Sequence, residues 1–295
     1  MKFKKISKII LLIVFILLLI ANGFSKDKDI YLIIRSDDIG SSHAANIGCI
    51  KAFDEGISKT VEIMVPCPWF LEAVKMLKDR PNYDVGVHLT LTSEWENYKW
   101  GPLTYAPSMV DSNGYFYPRQ KDWVNENAEA FWNANPDIKE VEVELRAQIE
   151  MAMKHIPQVS HISGHMGINS TGVSQEMYDL VKKLAIEYDL DIDPSDFDII
   201  HFGSYGEEQK IDQEQDAESK FIETLKKLKP GKYLYVEHPG MNVPEMKATG
   251  HDGYWKVAEQ RDNVTKILTS EKVKKIIKKR NIKLISYKDL KDLEK

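Results

Sequence analysis

The chain has 295 residues, 43% hydrophobic and 29% charged, with 40 Lys+Arg against 45 Asp+Glu and a net charge of -5. This mix excludes disorder, collagen-like repeats and coiled coil, because apolar side chains suffice for a core and no low-complexity tract interrupts them. An acidic chain also lacks the basic surface that general nucleic-acid binding needs, so no nucleic-acid partner is expected.

The first segment reads as a secretory leader. Lys2, Lys4, Lys5 and Lys8 precede an apolar run over residues 9–20, followed by the small and polar residues 21–25. About a dozen apolar residues fall short of the ~20 that a spanning helix needs, so cleavage is expected over retention as an anchor, leaving no stable membrane span. Cleavage after residue 25 removes four lysines and no acids, which takes the charge from -5 by four to -9. The expectation is an acidic, exported chain, periplasmic or extracellular, with residues 26–295 forming one domain.

Strand-length apolar runs then alternate with amphipathic stretches of helix length. A strand over 31–34 leads to Asp37-Asp38, and a helix over 43–55 closes at Gly56. A strand over 61–65 and a helix over 69–78 follow, each stopped by proline, and then a strand over 84–91 that contains His88. An irregular, aromatic segment runs from 92 to about 122. Beyond it come a charged helix over 138–155, a strand over 160–165, a helix over 175–188, a strand near 199–202 and a helix over about 213–228. The strand over 233–237 ends in His238-Pro239-Gly240, helices cover 255–279, and 282–287 is the last strand. The repeated order implies a parallel sheet covered by helices, and about seven parallel strands in one domain favour an α/β fold of the distorted (β/α)-barrel type. No GxGxxG or GxxxxGK[ST] follows the first strand, which removes the main support for dinucleotide or P-loop binding.

Polar signals recur at the strand ends: Asp37-Asp38, His88, the pair His161 and His165, and His238. In a parallel barrel those ends converge on one mouth. Each signal has a plain structural reading as well. Asp38 or Ser41 can cap the helix from His43, and a strand histidine is often a satisfied core residue. On a continuous strand His161 and His165 point the same way, but a bend at Gly164 leaves open whether one or both reach the mouth. Cys49 and Cys67 form no CxxC, so any metal must be held by imidazoles and carboxylates. His43, His155, His201 and His251 have no comparable setting.

These motifs resemble, in order, those of the YdjC/ChbG-type carbohydrate deacetylases, relatives of the NodB-type polysaccharide deacetylases. Arg35-Ser36-Asp37-Asp38-Ile39-Gly40 is similar to that family's N-A-D-D-F-G, residues 85–92 to its G-x-H-L-x-L strand, and residues 160–165 to its T-H-x-D-S-H segment. Glu237-His238-Pro239-Gly240 matches its C/E-H-P-G, and Arg261 with Ile285-Ser286-Tyr287 and Asp289-Leu290 its closing R and I-S-Y-x-D-L. Three departures stand out: Arg35-Ser36 for Asn-Ala, Ser163 for Asp, and Gly167 where a further His is usual. The resemblance implies a NodB/YdjC-like barrel and a hydrolase that removes acetyl from an N-acetylated amino sugar or short oligosaccharide, its partner being that small carbohydrate. It implies a divalent metal ion, Zn or Mg, on Asp38, His88 and His165, with Asp37 as general base and His238 as general acid. His161, Trp95, Trp100 and Arg261 are placed around this centre, as support or as substrate contacts. The alternatives are a carbohydrate O-acetyl esterase and an exported sugar-binding protein without turnover. Both carboxylates of Asp37-Asp38 can serve one site only if the strand turns at that pair. The rings of Trp95, Tyr98, Trp100, Tyr105, Tyr115, Tyr117 and Trp123 either stack on sugar or pin the long segment down.

Overall fold

The structure is a computed structural model and describes residues 29–293 except 123, 126, 171, 173 and 203–216. The leader, Trp123 and the start of the helix expected from 213 lie outside the described residues. No helix among the described residues is long and apolar enough to cross a membrane.

Seven strands form one parallel sheet in the order β4-β3-β2-β1-β6-β5, with β7 paired to β1. They are β1 (Ile30–Ile39), β2 (Thr60–Ile63), β3 (Asp84–Leu89), β4 (Val159–Gly164), β5 (Ile200–His201), β6 (Gly231–Glu237) and β7 (Ile282–Ile285). Helices cover the sheet, leaving the central strands β1 to β3 almost wholly buried along their length, polar residues included. β1 is shared three ways. β6 runs along it from Ile30 to Ser36, whereas β7 pairs with Ile30 to Ile33 and β2 with Arg35 to Ile39. The sheet curls into a half-barrel whose edge strands are β4 and β5, which is the distorted (β/α) barrel expected from the element order.

The covering helices are α1 (His43–Asp54), α2 (Phe70–Lys78), α3 (Ile138–His155), α4 (Gln175–Glu187), α5 (Ala217–Lys227), α6 (Pro244–Lys247), α7 (Val257–Thr269), α8 (Glu271–Lys279) and α9 (Tyr287–Leu293). Ser42 caps α1 by accepting from Ala45 N, so neither Asp38 nor Ser41 has that task. The helices expected over 255–279 are α7 and α8, which meet at Ser270, whose hydroxyl caps α8. The last strand ends at Ile285 instead of 287, because Ser286 and Asp289 open α9: Asp289 Oδ2 accepts from Ser286 N at 2.7 Å.

The irregular segment after β3 is held by α3. Glu144, fully buried, accepts from Leu103 N and from Thr104 N and Oγ1, and Glu140 accepts from Ser108 N and Oγ. A buried carboxylate persists only when its oxygens are satisfied in this way. Trp95 and Trp100 are each only 3% exposed, whereas Tyr105 is 90% exposed. The two indoles pack beneath the surface.

Candidate metal centre

β1 does not stop before the aspartate pair but continues through it, with a register shift against β2 between Ser36 and Ile39. Asp38 adopts φ +74 inside this bulge, and Gly40 follows at φ +96. The left-handed residue breaks the alternation of a regular strand, so both carboxylates face one place. Asp37 Oδ2 and Asp38 Oδ1 each lie 3.7 Å from His88 Nε2. Asp38 Oδ1 is also 3.5 Å from His165 Nδ1.

His165 stands just past the end of β4, in a short 3-10 turn in which Met166 has φ +49. The bend after Gly164 therefore separates the two histidines. His165 reaches the mouth, while His161 is fully buried, its ring stacked on Tyr287 at 3.8 Å and 5°.

Asp38, His88 and His165 each offer one ligand atom within 4.8 Å of the others, all three buried, and they are the one such group among the described residues. Hydrogen bonding around them decides which atoms face inward. Ser163 Oγ donates to Glu62 Oε2, so the 2.7 Å contact between Ser163 Oγ and His88 Nδ1 must be donated by the imidazole. His88 is thereby left with its Nε2 lone pair toward Asp38. Glu94 Oε2 accepts from His165 Nε2 at 3.1 Å, which leaves Nδ1 turned toward the same oxygen. Asp38 Oδ1 is buried and makes no hydrogen bond. An orphaned carboxylate oxygen facing two imidazole nitrogens is the donor set a divalent transition cation takes, and an imidazole pair suits Zn²⁺ better than Mg²⁺. The residues present fit a cation.

Each aspartate has its own arginine. Arg35 Nε and Nη2 donate to Asp37 Oδ1 and Oδ2, both at 2.8 Å, and Arg35 Nη1 donates to Tyr287 at 3.3 Å. Arg261, on α7, donates from Nη2 to Asp38 Oδ2 at 2.6 Å and lies 5.7 Å from the Trp95 ring centroid. Trp95 thus backs Arg261, and Trp100 backs His165 with ring centroids 6.5 Å apart. Burial opposes ionisation of Asp38, yet Arg261 and the neighbouring imidazoles hold its carboxyl well below the usual range. At Asp37 burial prevails over Arg35, and its value is raised.

The histidines diverge. Burial and the charge on His165 bring His88 down to about 3. Burial works against charge on His165 as well, but Glu94 and Asp38 push it up to about 10. His238, just past β6 and half-buried, is lowered to about 4, chiefly by desolvation and against the pull of Asp38 and Asp37.

Behind the candidate ligands, Glu62 joins β2, β3 and β4. Its Oε1 bonds His161 Nε2 at 2.8 Å while Oε2 takes the Ser163 hydroxyl, and although burial opposes its charge His161 draws it down to about 2. The sequence does carry one signal for Glu62, a lone acid inside the apolar run 61–65. Glu94 carries none, since nothing in its spacing distinguishes it from the other acids of the irregular segment.

Fold and site together define a parallel (β/α) half-barrel with two imidazoles and a carboxylate gathered at its strand ends. The family profile described as YdjC-like protein matches residues 31–279, and the chain belongs to that family. It is 28% identical to carbohydrate deacetylase 1 of Listeria innocua, an alignment covering 88% of this chain and 99% of that one. It is 27% identical to a carbohydrate deacetylase of Clostridium beijerinckii, with the same coverage. Among solved structures it is similar to a candidate cellobiose-phosphate cleavage protein of Enterococcus faecalis V583, with a TM-score of 0.68, 25% identity, and coverage of 89% of this chain and 99% of that one.

Proposed function

We propose that the protein is a metal-dependent hydrolase that removes acetyl from an N-acetylated amino sugar or short oligosaccharide and releases acetate, and that the leader over residues 1–25 directs it to the exterior. The observation that carries this reading is the inward aim of Asp38 Oδ1, His88 Nε2 and His165 Nδ1, with Asp37 beside them. The carbohydrate deacetylases to which the chain is similar support the substrate class.

A divalent cation on these three atoms would polarise the amide carbonyl and lower the pKa of a water, chemistry an unactivated amide requires. Asp37 receives the proton of the attacking water. Arg35 occupies one flank of both its oxygens and fixes the plane of the carboxylate, leaving a lone pair of Oδ2 toward the site. The raised pKa of Asp37 moves it toward the range in which a general base works. His238, lowered to about 4, starts neutral at neutral pH; the proton that Asp37 takes from water passes to it and then to the leaving nitrogen, which restores the Asp37 carboxylate. Arg261 keeps Asp38 ionised as a ligand.

The test is acetate release from matched N- and O-acetylated sugars by metal-loaded and chelated protein. N-acetyl substrates are expected to yield acetate only with metal, and Asp37→Asn to lose about 10²–10⁴-fold in kcat with metal content unchanged. Release confined to the O-acetylated set would make the protein an esterase. Sugar binding without acetate release under any divalent metal would sink the catalytic reading.

A further inference from the structure

Glu94 has no part in the scheme above, although it touches a ligand. It lies beyond the end of β3 at the start of the irregular segment, with its side chain 11% exposed against 5% for His165. Its contact is with Nε2, the nitrogen that faces away from Asp38.

The two imidazoles are thus held from behind by carboxylates of different attachment. Glu62 reaches His88 through Ser163 and sits inside the central sheet. Glu94 belongs to a stretch strapped to two other segments. Ser93 N donates to Tyr117 O at 2.9 Å, and Trp100 N donates to Ser93 Oγ at 3.1 Å. Glu96 N donates to Gly250 O at 2.9 Å, and Glu96 Oε1 accepts from Asp252 N at 2.7 Å. The orientation of His165 is therefore set by a residue whose own place depends on the segments around 117 and 250.

We propose that Glu94 is a positioning residue of the metal centre: it fixes the ring of His165 so that Nδ1 faces Asp38, and through it cation affinity depends on the seating of residues 93–100. The inference rests on the metal-site reading given under the proposed function. A carboxylate that accepts from the far nitrogen of a ligating imidazole fixes the ring and raises its basicity, and loss of such a partner typically weakens metal binding 10–100-fold.

The experiment titrates the metal-stripped chain with Zn²⁺ against a competing chelator, and records the visible absorption of the Co²⁺ form, for the wild type, Glu94→Ala and Glu94→Gln. The alanine variant is expected to weaken Zn²⁺ binding by about 10–100-fold, and the glutamine variant, whose amide oxygen still accepts from Nε2, by less than about tenfold. The Co²⁺ bands should keep their wild-type positions in both, because the three ligands are unchanged. Affinity of Glu94→Ala within about twofold of the wild type would overturn the proposal. So would displaced Co²⁺ bands, which would make Glu94 a ligand itself. Should the alanine variant fail to fold, the glutamine variant decides by the same bands, and by an affinity loss that exceeds twofold but stays under tenfold. A wild type that takes up neither cation would remove the metal-site reading and this inference together, whereas a wild type that binds with an unaffected alanine variant removes this inference alone.

Discussion

At the residue scale, the centre depends on one backbone irregularity and two arginines. Asp38 at φ +74 is what turns consecutive carboxylates toward the same histidines, and a sequence can show the pair but not the bulge that makes it useful. Arg35 is the departure with the clearest consequence. Its fork takes both oxygens of Asp37, a geometry that lysine, a single point of charge, cannot reproduce. Arg35→Lys should therefore leave Zn²⁺ affinity unchanged while lowering kcat by up to about 10²-fold through misplacement of the carboxylate. Steady-state acetate release beside a metal titration separates the two quantities, and equal losses in both would show that Arg35 supports the ligands and not Asp37.

At the element scale, β2, β3 and β4 are joined by a polar bridge that passes over one glycine. A Cβ on Gly86 would lie 2.1 Å from Glu62 Oε2 and 2.5 Å from His161 Nε2, so the absence of a side chain on β3 is what lets the carboxylate of β2 meet the imidazole of β4. Gly86→Ala is expected to lower stability by about 1–3 kcal/mol, read from the urea midpoint, because neither partner can withdraw without leaving a buried group unsatisfied. An unchanged midpoint would mean that the bridge relaxes freely. Much of this framework was legible in the sequence. The helix at 138–155 coincides with α3, since its charged and apolar positions alternate at helical spacing, and the strand-end histidines were visible as a set. The extension of β1 to Ile39 was not, because the apolar run ends at Ile34 and four polar residues separate it from Ile39, which pairs with Ile63. α9 was hidden by the strand-like Ile285-Ser286-Tyr287, though Ser286 with Asp289 three residues on is a capping pattern that could have revealed it. Glu94 meets His165 across 71 positions, a contact that only the folded chain defines.

At the scale of the whole molecule, the buried histidines set how stability of the metal-free protein depends on pH. His88 and His238 titrate near 3 and 4 in the fold against an ordinary 6.5, so the unfolded chain binds more protons between those limits and stability falls as pH drops below about 6.5. Glu62, lowered to about 2 from 4.5, adds loss in the same direction at more acid pH. His165 acts oppositely: its value near 10 contributes stability that is complete below 6.5 and is lost as pH rises through about 10. Chelated protein is therefore expected to show its highest urea midpoint near pH 6.5. Zn²⁺ bound at the proposed centre would displace the His165 proton, so the gain in midpoint on adding metal should be larger at pH 9 than at pH 6. Denaturation series with and without chelator check this, and a metal effect that shrinks toward alkaline pH would contradict it.

The pairing of Asp38 with Arg261 joins residues 223 positions apart. During synthesis, all three ligand residues leave the ribosome long before the arginine that compensates Asp38. Until α7 has been made, only the neighbouring imidazoles, a proton or a cation can offset that aspartate. A chain that ends before residue 261 would carry Asp38, His88 and His165 yet lack the guanidinium that, with the imidazoles, keeps Asp38 ionised.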